Sequence, residues 1–340
     1  MSDTGDVDVG DSDAATVTAG DPEHTNVAVA CQGGGSHTAF TAGVLQTLLT
    51  EVDWSAHELV GISGTSGGAF NALTTWYGLV TEGPERSVEL LGELWDALSA
   101  KQAGDRAANS WVTALNRLEN SGFPFPQVSP YDVPGDELGK ERIREALESC
   151  IDFDAVPPLC DRDTPELVVG TVDVNGGVFE TFTNEAVTVD AVLASAAVPD
   201  LFEAVEMNGH GHWDGLFSQN PPVYDLMHQP PDRKPDELWV IQINPQKVEE
   251  VPTSTMEIND RRNELAGNIS LNQELGFIER VNDWVEAGKL PADEFTHTEI
   301  RRIEMSQRYD TATKVDRDPA FIQELLEDGR QAASEFLAER

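Results

Sequence analysis

The chain has 340 residues, with 61 acidic side chains against 22 basic ones and a net charge of -39, a balance that repels nucleic acid and anionic membranes rather than binding them. Hydrophobic residues make up 39 %, enough for a core, but no stretch approaches the uninterrupted apolar length needed to span a bilayer. The acids run through the whole chain and lysine is scarce, six against sixteen arginines; this suits a cytoplasm holding molar salt, where the Debye length falls to roughly 3 Å, so a halophilic source and a cytoplasmic location are expected.

Residues 1–24 are acidic, small and polar, with no basic or apolar signal region, and read as a disordered tail before a domain spanning 25–340. Residues 26–31 (NVAVAC) form a β-branched run that stops at Gly33-Gly34-Gly35, and 38–50 follow with helical spacing of Phe40, Val44, Leu45 and Leu48. Residues 59–63 (LVGIS) repeat the scheme: a strand, a tight turn over 64–68, then an apolar helix over 69–80. Two strand–turn–helix units within about sixty residues predict parallel strands and an α/β sheet. Residues 85–147 read as amphipathic helix, interrupted at 121–134 by a loop rich in Pro and aromatics. Strands are predicted over 166–174 and 177–183, joined at Asn175-Gly176. A short helix over 188–197 and a strand over 237–243 come next. A long helix over 256–287, a strand over 298–305 and a final helix over 319–338 make a C-terminal extension (about 256–340), with no linker to mark it as a separate lobe. The long helix carries Arg261, Arg262 and Asn263, and reads as a solvated amphipathic face. Cys31, Cys150 and Cys160 lack the spacing of a zinc site or a disulfide framework.

Three constellations carry chemistry. Gly64-Thr65-Ser66-Gly67-Gly68 is a GxSxG between a strand and a helix. A turn that sharp needs glycines, and it raises the serine hydroxyl over the strand end, at a helix N-terminus that favours developing negative charge. Without those flanks it would be an ordinary Gly/Ser turn. The second is Gly33-Gly34-Gly35-Ser36-His37, whose backbone amides can cradle an anion. The phosphate reading fails because Thr38 stands where a third glycine belongs and no GK[ST] follows. Two glycine turns ending neighbouring parallel strands face one crevice, as a nucleophile and an oxyanion hole would. The third is a proton acceptor for Ser66. Among seven histidines, His210 and His212 lie beside Asp214 in a hairpin-like segment, and spacing leaves both His212 and Asp214 open as the base.

The GGGxxxxF turn, the GxSxG about thirty residues later and the Asp-Gly at 214–215 resemble the patatin-like phospholipases, in the same order and over roughly residues 26–245. Ser218-Gln219-Asn220-Pro221-Pro222 and the Ala/Ser-rich helix at 190–199 are also similar to that family. The resemblance implies a three-layer α/β/α fold with a mostly parallel central sheet, and a Ser–Asp dyad without histidine: Ser66 as nucleophile and Asp214 as base. It implies an oxyanion hole at Gly33, Gly34 and Gly35 together with Gly67, the Gly34 and Gly35 amides foremost. It requires no metal and no organic cofactor. This sequence departs from the family at His37-Thr38, where many members have a basic residue and a glycine; His37 keeps a cation candidate and a candidate substrate contact. The implied substrate is a lipid or other carboxylic ester, met in solution or at a granule or membrane surface. The alternatives are a polyhydroxyalkanoate granule depolymerase and a non-catalytic binding module on a hydrolase fold. Phe123, Phe125 and Tyr131 are candidates for an apolar lid or surface-docking wedge, Phe123 and Phe125 also for substrate contact, against the plainer reading that they pack in the core. The sequence does not specify an oligomeric state.

Overall fold

The computed structural model describes residues 24–120, 129–132, 136–291 and 294–340. The predicted tail over 1–24, save His24, and the candidate contacts Phe123 and Phe125 lie outside the described residues. In chain order the elements are β1 (Thr25–Cys31), α1 (Ala39–Glu51), β2 (His57–Thr65), α2 (Gly67–Thr81), α3 (Pro84–Leu98), α4 (Ala103–Asn120), α5 (Asp136–Cys150), α6 (Val156–Leu159), β3 (Glu166–Asp173), β4 (Val178–Thr183), α7 (Val189–Ser195), β5 (Val205–Met207), β6 (His210–Asp214), β7 (Glu237–Gln242), α8 (Thr255–Glu286), β8 (Glu299–Glu304) and α9 (Pro319–Ala338). The predicted strands and helices are present, with ends shifted by at most three residues.

The strands form one sheet in the order β5-β6-β3-β2-β1-β7-β8, with β4 paired to β3. From β3 to β8 every pairing is parallel. The β3–β4 hairpin and the β3–β6 and β5–β6 pairs are antiparallel. The sheet is thus mostly parallel, with an antiparallel margin at one side.

Alternation along the central strands divides the core. Val27, Val29 and Cys31 of β1, with Trp239 and Ile241 of β7, face one side, where α1, α2, α3 and α9 contribute Phe40, Leu73, Leu91 and Leu325. Ala28, Ala30, Leu238 and Val240 face the other, against Leu271, Leu275 and Ile278 of α8. Period-2 strands buried on both faces read as continuous apolar runs, which is why 26–31 and 237–243 look uniformly hydrophobic. Each fully buried Leu or Ile contributes roughly 2 kcal/mol by removal from water.

The C-terminal segments are built into this framework. β8 pairs with β7 along six positions. Helix α9 crosses α1 at two glycines: a Cβ on Gly43 would lie 2.0 Å from the Leu326 carbonyl oxygen, and one on Gly329 would lie 2.0 Å from that of Phe40. Helix α8 starts with a capping box, Ser254 Oγ accepting the Glu257 amide at 3.2 Å and the Glu257 carboxylate accepting the Ser254 amide at 3.1 Å. Among the described residues, no helix is long and apolar enough to cross a membrane.

Candidate active site

β2 ends directly in the turn that carries Ser66. Ser66 adopts φ 57°, ψ -130°, a backbone conformation that costs a non-glycine residue of order 1–3 kcal/mol and clusters at functional sites. It is the N-cap of α2, and α2 places its dipole behind the serine. The turn is held from α7: Ser66 N–H donates to Ser195 Oγ at 2.8 Å, and Ser195 Oγ–H donates to the Gly170 carbonyl at 2.7 Å. Ser195 belongs to the Ala/Ser-rich helix already noted in the sequence, but no role had been assigned to it; a single hydroxyl in an otherwise apolar turn was the available signal.

Asp214 ends β6, and the register carries it to the serine. Thr65 pairs with Gly170 of β3, and the next β3 residue, Thr171, pairs with Asp214. Ser66 and Asp214 therefore project from strands on either side of β3, two strand spacings of about 4.8 Å apart, and both line one cavity of about 580 Å³. Asp214 is fully buried. Its Oδ1 accepts the Leu216 amide at 2.9 Å, while Oδ2 is buried without a hydrogen-bond partner. Burial pushes the Asp214 carboxyl up to about 7, against smaller downward pulls from the Leu216 amide and the nearby Ser66 hydroxyl. That hydroxyl is close enough to influence the carboxyl, yet it makes no formed hydrogen bond with Oδ2 in this structure; such contacts commonly tighten only once substrate is bound.

His212 is engaged elsewhere. Its Nε2 meets Glu180 Oε2 at 2.7 Å, its Nδ1 meets the His210 carbonyl at 3.1 Å, and it does not line the cavity.

The loop after β1 supplies the facing wall. Gly33, Gly34 and Gly35 all line the cavity, but their amides differ. Gly33 N–H donates to Asn220 Oδ1 at 2.6 Å, so it is not free for an oxyanion and the expectation for its amide is corrected. The same Asn220 returns a bond from Nδ2 to the Gly33 carbonyl at 3.3 Å, and Asn244 Nδ2 adds another at 3.0 Å. Among the described residues, no acceptor takes the Gly34 or Gly35 amide. Gly35 has φ +60°, and a Cβ there would lie 2.2 Å from the Lys314 carbonyl oxygen. Gly67 sits in the first turn of α2 and does not line the cavity.

A buried amide network fixes this wall. Gln32 Oε1 accepts the Ile243 and Asn244 amides at 3.0 and 2.7 Å, and Gln32 Nε2 donates to Asn268 Oδ1 at 2.8 Å and the Asn220 carbonyl at 3.2 Å. Asn71 of α2 ties the two turns together by donating to the carbonyls of Thr38 and Gly67, at 2.8 and 3.0 Å. Thr38, in the position where a glycine is common in the family, turns its hydroxyl inward onto the Gly35 carbonyl at 2.7 Å.

His37 is corrected as a cation and as a substrate contact. It is 3 % exposed, bonds Thr313 Oγ1 through Nε2 at 2.8 Å and packs against Tyr309 and Phe321. Burial, helped by the Lys314 charge and opposed by Asp260, pushes the ring down to about 3, so it is neutral. The solvated reading of α8 is also corrected: Asn259, Asp260, Asn263 and Glu264, spaced to share a face, line the cavity. Tyr131 is exposed, its hydroxyl accepting the Ala204 amide at 3.2 Å, while its neighbours Ser129 and Pro130 line the cavity. Among the described residues, no three His, Cys, Asp or Glu side chains are placed to hold a metal ion.

Comparison with known proteins adds the following. The chain is similar in structure to VipD from Legionella pneumophila, at 14% identity and a TM-score of 0.45 over 94% of this chain and 67% of that one. It is also similar to the ExoU–SpcU complex of the type III secretion system of Pseudomonas aeruginosa, at 14% identity and a TM-score of 0.37 over 94% of this chain and 52% of that one. At these values neither likeness carries a functional argument. Curated proteins give no match. A family model described as patatin-like phospholipase matches residues 29–227. That match runs over more than half of the chain and encloses both glycine turns, Ser66 and Asp214, and on this ground the chain belongs to the patatin-like phospholipase family.

Proposed function

We propose that this protein is a serine acyl-ester hydrolase in which Ser66 is the nucleophile, Asp214 the sole side-chain base, and the Gly34 and Gly35 amides the oxyanion donors. Family membership supports the broader reading, a lipid acyl hydrolase. The observation that carries the finer one is the pairing within one cavity of a strained serine and a buried carboxylate with a free oxygen.

In the proposed cycle, Asp214 Oδ2 takes the Ser66 proton as Oγ attacks the ester carbonyl. The Gly34 and Gly35 amides and the α2 dipole stabilise the tetrahedral oxyanion; losing one such donor typically costs about 3 kcal/mol of transition-state stabilisation. Collapse breaks the bond to the alcohol, which leaves with the proton from Asp214. Asp214 then deprotonates a water that attacks the acyl-enzyme, and Ser66 departs as the hydroxyl, recovering that proton. The carboxyl must be ionised to start. With its titration raised to about 7, kcat/KM rises with pH through that region and levels above it.

A fluorophosphonate probe in molar KCl tests the reading. Native protein should label on Ser66 and Ser66→Ala should not. Native protein that stays unlabelled would favour the non-catalytic module.

A further inference from the structure

The cavity that holds Ser66 has an acidic lining, and its cation is occupied. The charged residues lining the cavity besides Asp214 are Asp200, Asp260, Glu264 and Lys314. An ammonium has three protons to donate. Lys314 Nζ directs them to Asp260 Oδ1 at 2.8 Å, Asp260 Oδ2 at 3.0 Å and Glu264 Oε1 at 3.1 Å. Burial pulls this ammonium down, but the two carboxylates outweigh it and hold it above its ordinary range. Arg261, one turn away, is fixed to Glu264 and to the carbonyls of Pro245 and Gln246. Residues 1–23, 121–128, 133–135 and 292–293 contain neither lysine nor arginine. Besides Asp214, three carboxylates thus line the serine's cavity against one ammonium with no proton to spare.

We infer that this acidic wall makes the site selective for uncharged acyl esters, such as acylglycerols or polyesters, and selects against esters that bear an anionic group beside the scissile bond. An anionic phosphodiester or carboxylate brought there loses its water and finds no free cation among the residues that line the cavity, and like charges at close range in a partly buried site repel strongly. Asn244, Asn259 and Asn263 leave the rest of that wall polar but neutral, suited to carbonyl and hydroxyl groups. This inference rests on the hydrolase reading above and names its substrate class.

The test uses two soluble esters with one acyl chain, 4-nitrophenyl butyrate and its ring-carboxylated analogue, each corrected for its alkaline hydrolysis rate. Working in 2 M KCl screens the protein's long-range field, so the comparison reports contacts inside the cavity. Wild type should favour the uncharged ester at least tenfold in kcat/KM. Asp260→Asn should raise the anionic-to-neutral ratio by a factor of three to ten. Asp200→Asn, an exposed position where folding is not at issue, should raise it by a smaller factor. Equal use of both esters by wild type, or a ratio unmoved in both variants, would overturn the selectivity alone. Turnover of neither ester would remove the hydrolase reading and this inference with it.

Discussion

The turn at 64–68 and the loop at 33–35 end neighbouring parallel strands and contain similar numbers of glycines, yet different forces shape them. The first is closed partly from within, a Cβ on Gly64 lying 2.4 Å from the carbonyl carbon of Gly68, and partly by the end of β1 beside Gly68 and by Ser195 on the Ser66 amide. The second is shaped from far along the chain. Asn220 and Asn244 hold the Gly33 peptide, Ile243 closes on Gly34, and the Lys314 carbonyl fills the space beside Gly35. A local steric constraint is written in adjacent letters; a tertiary one is distributed over nearly three hundred residues.

Gly68→Ala should have the largest effect, because it strikes where the 64–68 turn packs directly on the backbone at the end of β1. Its Cβ would lie 2.2 Å from the Cys31 carbonyl oxygen and 2.9 Å from two backbone carbons of the same segment, with no flexible side chain to yield. Overpacking against backbone costs about 3 kcal/mol or more. A thermal melt should fall by at least about 5 °C, and turnover should fall below one part in a thousand. A stable, active Gly68→Ala protein would show that the 64–68 turn does not depend on this close approach to β1.

Asp214→Asn separates function from stability. Turnover should drop by about four orders of magnitude, since an amide cannot accept the serine proton. The fold should gain. The folded carboxyl titrates near 7 against 3.8 in the unfolded chain, so the native state holds a proton between those values that the unfolded state has lost. Wild-type stability therefore declines as pH rises from about 4 to 7 and the deficit stays constant above 7. At 1.36 kcal/mol per unit the deficit is at most about 4 kcal/mol. Denaturant titrations at pH 5 and pH 8 should show Asp214→Asn gaining on wild type at the higher pH, and a variant that loses ground there would contradict a buried, destabilised base.

Asn220→Ala addresses the tertiary loop. It leaves the buried Gly33 amide without its acceptor, at a cost of about 1–3 kcal/mol. It also loosens the neighbouring amides proposed to hold the oxyanion, so kcat should fall about a hundredfold with KM nearly unchanged. A proportionate rise in KM instead would mean that Asn220 serves binding rather than the transition state.

Legibility followed the same division. The apolar alternation of β1 and β7, the Asn175-Gly176 hairpin and the Pro319 helix start were open to reading because each rests on neighbours in sequence. The GxSxG turn was open for the same reason. His37 and α8 were misread because their surroundings are supplied by distant segments: Thr313, Tyr309 and Phe321 bury the histidine, and the position of α8 beside the serine turns a polar helical face into a cavity wall. Gln32, Asn220, Asn244 and Asn268 form one network from four places in the chain, and no spacing rule joins them.

A substitution that touches neither turn sets the floor for these comparisons. His212 is 1 % exposed, two residues from Asp214 on β6, and packs edge-on against Phe182. Both ring nitrogens are engaged, one with Glu180 at 2.7 Å and one with the His210 carbonyl at 3.1 Å. Removing the ring leaves a cavity and frees a partly exposed carboxylate, so His212→Ala should lose about 1–3 kcal/mol in a denaturant titration. Turnover should stay within about threefold of wild type at a temperature where both are folded, because neither nitrogen is available to Ser66. A collapse matching that of Asp214→Asn, in protein whose melt shows it intact, would make the histidine the base and reduce Asp214 to its support.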